Sequence, residues 1–142
     1  MPKPKTKLKY TKTEQDFIRS FHALCKQNHK AMRDNGFWDD RDELIQSAEL
    51  HGGQKLKDVA VKMVDSQIRE LMVSEIGEAT EGARKDLMDD HLPDVPSPVA
   101  EIADVIIRAF DWAGYHGHNL AEVIIRKMHY NKTRPHKHGK KF

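Results

Sequence analysis

The sequence predicts an all-α fold, a helical bundle of four main helices completed by oligomerisation. Three observations carry this. Apolar residues recur at helical rather than alternating spacing through most of the chain. Capping and breaking residues interrupt that pattern at a few points. The apolar helix surface also exceeds what a bundle of 142 residues would bury by itself, which points to a dimer or tetramer.

Residues 1–12 carry five lysines and no acid, and Lys3, Lys5, Lys7 and Lys9 alternate with Pro4, Thr6 and Leu8. No apolar signal stretch is possible there. The segment reads as a flexible basic arm that does not by itself require nucleic acid, and residues 13–142 read as a single domain. Thr13, followed by Glu14, Gln15 and Asp16, gives a capping-type start. Phe17, Phe21, Leu24, Cys25 and Met32 then keep helical spacing until Asn35-Gly36. A short acidic segment, Asp40 to His51, stops at Gly52-Gly53. The longest pattern follows, from Leu56 through Val64, Ile68 and Met72 to about Asp86.

Pro93, Pro96 and Pro98 mark residues 88–98 as a loop, and Ser97-Pro98 reads as an N-cap with Pro at the first helical position. The next helix, to about Trp112, is apolar almost all round and so predicts neighbours on every side. After a turn at residues 114–118, Asn119 to Glu122 form a capping box that opens a last helix ending near Thr133.

Composition narrows the function classes. The longest apolar runs are a few residues, too short for a membrane span. The single cysteine, Cys25, excludes an internal disulfide and a cysteine-based zinc site, and fits a core position in a cytoplasmic protein. Neither His116/His118 nor His136/His138 has the spacing of a shared helical face, so zinc is not expected. The net charge of +2 hides an asymmetry: residues 123–142 hold seven Lys/Arg and no acid, and residues 13–122 hold twelve basic against 22 acidic residues.

The positions of those acids are informative. The stripe Val64, Ile68, Leu71 continues at helical spacing into Glu75, Glu78 and Gly82, so carboxylates take over positions held by apolar residues. On the following helix Glu101 and Asp104 are three apart, and Arg108 and Asp111 extend the same stripe. If the two helices pack antiparallel, four carboxylates converge. Such a cluster is resolved by a hard divalent cation with oxygen ligands, Mg²⁺ or its substitute Mn²⁺. Arg108 is expected to pair with Asp104 or Asp111.

Ser74-Glu75-Ile76-Gly77-Glu78, followed after 22 residues by Glu101-Ile102-Ala103-Asp104, resembles the ExxE…ExxD signature of the MazG-like all-α nucleoside triphosphate pyrophosphohydrolases, including phage and bacterial members. The likeness extends through Lys127-Met128-His129-Tyr130-Asn131 and the basic tail, and covers about residues 13–142. Many members read EExxE where this chain has Ser74 at the leading position. The resemblance implies an enzyme that cleaves a nucleoside triphosphate to monophosphate and pyrophosphate. Glu75, Glu78, Glu101 and Asp104 would hold Mg²⁺, and Glu75 or Glu78 would activate water.

Lys127, Tyr130, Asn131 and Arg134 fall on one helical face and are candidates for the phosphates and sugar; the resemblance assigns that work to the Lys and Asn. Trp38, in the Asn35-to-Trp38 turn, and His22 are candidates for the base, with core packing as the competing role for each. No membrane or nucleic-acid partner is expected on this reading. A competing reading from another class is a non-catalytic helical module that binds nucleic acid or a partner protein through its basic termini.

Overall fold

The computed structural model describes residues 9–135. It contains α1 (Lys12–Asp34), α2 (Asp39–Lys85), α3 (Ser97–His116) and α4 (Leu120–Lys132), with no strand beyond an isolated Met88–Pro96 bridge among the described residues. The all-α class is as expected. The basic arm falls, up to residue 8, outside the described residues, as does the tail from residue 136. No described helix is long and apolar enough to cross a membrane. The chain divides into two compact units, Cys25–His118 and Met1–Leu24 with Asn119–Phe142.

In the larger unit α2 is a helical hairpin. Gly53 has φ 63° and ψ −162°, outside the helical region and accessible chiefly to glycine. Gly52 leaves no room for a side chain, because an added Cβ would lie 2.5 Å from Leu56 Cβ. The break expected at Gly52-Gly53 is therefore present. Lys57 pairs with Glu49 at 2.8 Å, and Arg41 Nε donates to Gln67 Oε1 at 3.2 Å. Residue numbers rise on one limb as they fall on the other, so the limbs run antiparallel. Ile45 and Ala48 from the first limb join Ala60, Val64 and Ile68 from the second, with Trp38, in one buried cluster.

A structured loop then returns the chain for α3 to pack against the second limb. Asp86 closes α2 in the left-handed region (φ 53°), its N–H bonded to Gly82 O. Asp89 Oδ1 accepts the N–H groups of His91 (3.0 Å) and Leu92 (2.6 Å), and Ser97 N–H donates to Leu87 O. Gly82 permits the close approach: a Cβ there would meet Ser97 Oγ at 2.4 Å. Ser97 is correspondingly buried, and Pro96 rather than Ser97 is the N-cap residue. The expected serine cap is replaced by a packing contact. α3 continues to His116, past the expected end at Trp112, and Gly117 caps it at φ 68°.

The second half of α1 runs antiparallel to α3. Asn28 Nδ2 donates to Ile107 O at 3.0 Å, and a Cβ on Gly114 would lie 2.4 Å from His29 Cβ. Asp111, buried, accepts from Trp38 Nε1 at 2.9 Å and is 2.7 Å from His29 Nδ1. Trp38 stacks on Tyr115 with ring centroids 4.3 Å apart. Cys25 is buried, as expected. The neighbours predicted all round α3 are incomplete within the chain: Val99, Ile102, Ile106 and Ile107 remain exposed, as do Met63, Val73 and Ile76 on α2.

In the smaller unit the capping box belongs to Thr11, two residues before the expected Thr13. Thr11 Oγ1 accepts from Glu14 N–H at 3.2 Å, and Thr11 N–H donates to Glu14 Oε2 at 2.8 Å. Threonine-to-glutamate spacing of three residues satisfies both groups, which Thr13 with Asp16 does not do here. Asn119 caps α4 as expected, accepting from Glu122 N–H at 3.3 Å. Tyr10 O–H donates to Glu122 at 3.1 Å, and His129 Nε2 lies 2.6 Å from Glu14 Oε1. Both numbers advance together, so the start of α1 runs parallel to α4.

The His129 hydrogen bond, helped by the Thr11 N–H, holds the Glu14 carboxyl below its ordinary value of 4.5. A lowered carboxylate pKa contributes stability that is present above the unfolded value and lost as pH falls through the folded one. Thermal unfolding followed from neutral pH into acid will therefore show a steeper loss of midpoint in the wild type than in Glu14→Gln. Parallel curves would remove Glu14 from the acid response.

Candidate metal centre

The α2–α3 pairing brings together carboxylates that are far apart in sequence. Glu75 takes a core position, 6% exposed, in the stripe of buried residues that includes Val64, Ile68, Ala79 and Gly82. Leaving an ionised carboxylate there unpaired would cost several kcal/mol. Its partner is Arg108 on α3, whose Nε donates to Glu75 Oε1 at 2.6 Å and whose terminal guanidinium nitrogen contacts the same oxygen. This corrects the expected pairing of Arg108 with Asp104 or Asp111. Antiparallel packing puts residue 108 across from residue 75, whereas Asp111 is satisfied by Trp38 and His29.

One turn further along α2, Glu78 is exposed and accepts a hydrogen bond from Ser74 Oγ at 3.2 Å. Glu101, from the first turns of α3, completes a group. Glu75, Glu78 and Glu101 each offer an oxygen within 4.8 Å of the others. No ion pair within 4.0 Å joins Glu78, Glu101 or Asp104 to a cation among the described residues. Burial raises the Glu101 pKa, and the charges of Glu78 and Glu75 raise it further. Asp104 lies outside the triad but within its field: burial and then Glu75 raise its pKa, against the opposing pull of Arg108. The four predicted ligands thus resolve into a close group of three with Asp104 beside it.

A cleft of about 370 Å³ opens at this point, lined by Glu78, Glu81, Asp89, Asp90, His91 and Glu101 among others. The loop carboxylates Asp89 and Asp90 and the helical Glu81 were not singled out in the sequence. The available signal was the Asp89-Asp90-His91 run, whose Asx turn folds it back beside Gly82 and Ser97. The donor set is all oxygen apart from His91, it comes from two helices and the loop between them, and Glu78, Glu101, Asp89 and Asp90 have no ion pair within 4.0 Å among the described residues. Those properties suit a hard divalent cation such as Mg²⁺ or Mn²⁺ rather than zinc.

The other candidates are distributed differently. Trp38 is 1% exposed and its indole N–H is committed to Asp111, so it is a core residue with no face open to a nucleobase. The turn that carries it is pulled inward by that hydrogen bond, while Phe37 remains outside. His22, on α1, is partly buried, and its Nδ1 is buried without a hydrogen-bond partner. Lys127, Tyr130 and Asn131 are exposed on α4, and Arg134, also exposed, lies two residues past its end, in the smaller unit. Lys127 and Arg134 lie 5.5 and 5.9 Å from the Tyr130 ring. No family model, curated protein or solved structure matches the chain.

Two substitutions separate the paired from the unpaired carboxylates. Arg108→Leu strands Glu75 and should cost about 2–3 kcal/mol in urea unfolding of the metal-free protein. Glu101→Gln acts in the opposite direction. A raised carboxylate pKa is a penalty on the ionised form, present above the folded value and relieved as pH falls through it. At neutral pH Glu101→Gln should therefore raise the metal-free thermal midpoint by about a few degrees. A midpoint at or below the wild type would show that repulsion in the triad is already compensated.

Proposed function

We propose that this chain is a divalent-metal-dependent nucleoside triphosphate pyrophosphohydrolase of the MazG-like all-α type. The observation that carries the reading is the triad Glu75, Glu78 and Glu101, which offers three carboxylate oxygens within 4.8 Å of one another at the edge of an acidic cleft. No lysine or arginine is among the residues lining that cleft. An anionic triphosphate would be repelled from such a surface unless positive charge were supplied by ions. A divalent ion bound by the triad, with Asp104 alongside, would neutralise phosphate oxygens and acidify a nearby water.

The two candidate bases have unequal surroundings. Arg108 anchors one oxygen of Glu75 and fixes that buried carboxylate in direction, a property of a ligand. Glu78 is exposed, with only the Ser74 hydroxyl as a hydrogen-bond partner among the described residues. It is free to orient and deprotonate water, so we assign it the role of base. In this scheme the water oxygen bonds to the α-phosphorus and its proton passes to Glu78. The α–β bridging bond breaks, and its oxygen leaves with pyrophosphate.

Ser74, which departs from the leading glutamate of many MazG-like members, is used here to steady Glu78. We give Lys127, Asn131 and Arg134 the phosphate contacts on the resemblance, and all three are exposed. The exposed Ile102, Ile106 and Met63 side chains favour a homo-oligomer, in which a second copy would cover them.

Incubation with Mg²⁺ and a panel of canonical and modified nucleoside and deoxynucleoside triphosphates should release pyrophosphate and monophosphate in equal amounts from at least one of them. Glu78→Gln should lower kcat by roughly 10²–10⁴-fold with helical content unchanged by circular dichroism. No pyrophosphate from any triphosphate, or full activity in Glu78→Gln, would overturn the proposal.

A further inference from the structure

The two compact units carry opposite charge. The start of α1 and the whole of α4, far apart in sequence, belong to the same compact unit. Its described residues, 9–24 and 119–135, hold seven Lys/Arg and three acids, a formal charge of +4. Residues 25–118 hold eleven Lys/Arg and nineteen acids, a formal charge of −8.

The three acids of the basic unit are already engaged within it. Glu14 meets His129, Asp16 meets Lys12 and Arg19, and Glu122 takes the Tyr10 hydroxyl. Arg126, Lys127, Lys132 and Arg134 form no ion pair within 4.0 Å among the described residues. These cations are exposed on α4 or just beyond it, and their charge is available to an external anion. Tyr130, 57% exposed, stands between Lys127 and Arg134, whose charged groups lie 5.5 and 5.9 Å from its ring.

We propose that this unit binds single-stranded nucleic acid, with the Lys127–Tyr130–Asn131–Arg134 face of α4 as its contact surface. Lys127 and Arg134, unpaired on either side of Tyr130, match an extended polyanion such as a phosphodiester backbone. An exposed ring flanked by cations provides a stacking surface for a base together with charge for the adjoining phosphates. Asn131 adds a donor and an acceptor on the same face. A lipid surface would call for a continuous apolar face beneath the cations, and beside Tyr130 this face offers one exposed aliphatic residue, Val123. The hydrolase reading gives Lys127, Asn131 and Arg134 to a triphosphate, so the two readings share this face, while the triad carboxylates belong to the other unit and are no part of the surface.

Fluorescence anisotropy with a labelled oligothymidylate of about twenty nucleotides, the full chain and Mg²⁺-free buffer tests it. Affinity should fall steeply between about 50 and about 200 mM salt, and Lys127→Gln/Arg134→Gln should flatten the log–log slope by about 1.4. Tyr130→Ala should weaken binding on the order of tenfold while Tyr130→Phe keeps it. Glu78→Gln should bind like the wild type, which separates this surface from the carboxylate site. Four results would overturn the proposal: no binding at low salt; equal binding by Tyr130→Ala, which leaves a charge-only polyanion surface; displacement by a single nucleoside triphosphate at equimolar amounts, which makes the face a mononucleotide site; or retention by phosphatidylserine vesicles without binding of the oligonucleotide.

Discussion

A carboxylate placed where helices pack needs a partner, and along the α2–α3 seam the chain supplies that partner everywhere except at one end. Asp65 receives the Trp112 indole at 3.1 Å and lies 2.7 Å from His116. Asp111 receives Trp38 and lies beside His29, which fixes the turn before α2 and the second half of α1 against α3. Glu75 receives Arg108. Towards the α2–α3 loop the pairing ends, and Glu78, Glu101 and Asp104 face one another and the acidic loop. The packing of the larger unit depends on the first three arrangements. Its candidate chemistry lies in the last.

This contrast explains how a stable bundle tolerates a repulsive site. The compensated pairs lie where the helices are most deeply packed, and there each charge contributes direction as well as stability. The uncompensated group lies at the mouth of a cleft, where water screens part of the repulsion. Gly82 and Ser97 hold the two helices close beside it, so relaxation by spreading is limited. In the proposed reading such a site would hold an unfavourable interaction that a bound cation relieves, in keeping with the cost in stability that functional groups commonly impose.

Much of this was legible in the sequence, for identifiable reasons. Helical periodicity and the Gly52-Gly53 break gave the hairpin limbs of α2, because glycine is one of the few residues comfortable at φ 63°. The replacement of apolar residues by Glu75 on a core stripe marked the site. What was not legible depended on contacts between distant segments. The partner of Arg108 is set by the offset between α2 and α3, which the loop and the Gly82–Ser97 contact determine. Trp38 sits in a turn beside Phe37 with nothing local to show which ring goes inward; a hydrogen bond 73 residues away decides it. The capping box at Thr11 was readable, and the neighbouring Thr13 competed for the same role because both begin a plausible first turn.

The central claim is that the triad is a divalent-cation site formed by the protein alone. Calorimetric titration of Mn²⁺ into metal-free protein, without nucleotide, tests it most directly. The account predicts saturable binding by the wild type and at least about tenfold weaker binding, a difference of about 1.4 kcal/mol, by a folded Glu78→Gln/Glu101→Gln variant. Equal Mn²⁺ affinity in the two proteins, or no saturable binding by the wild type, would contradict it.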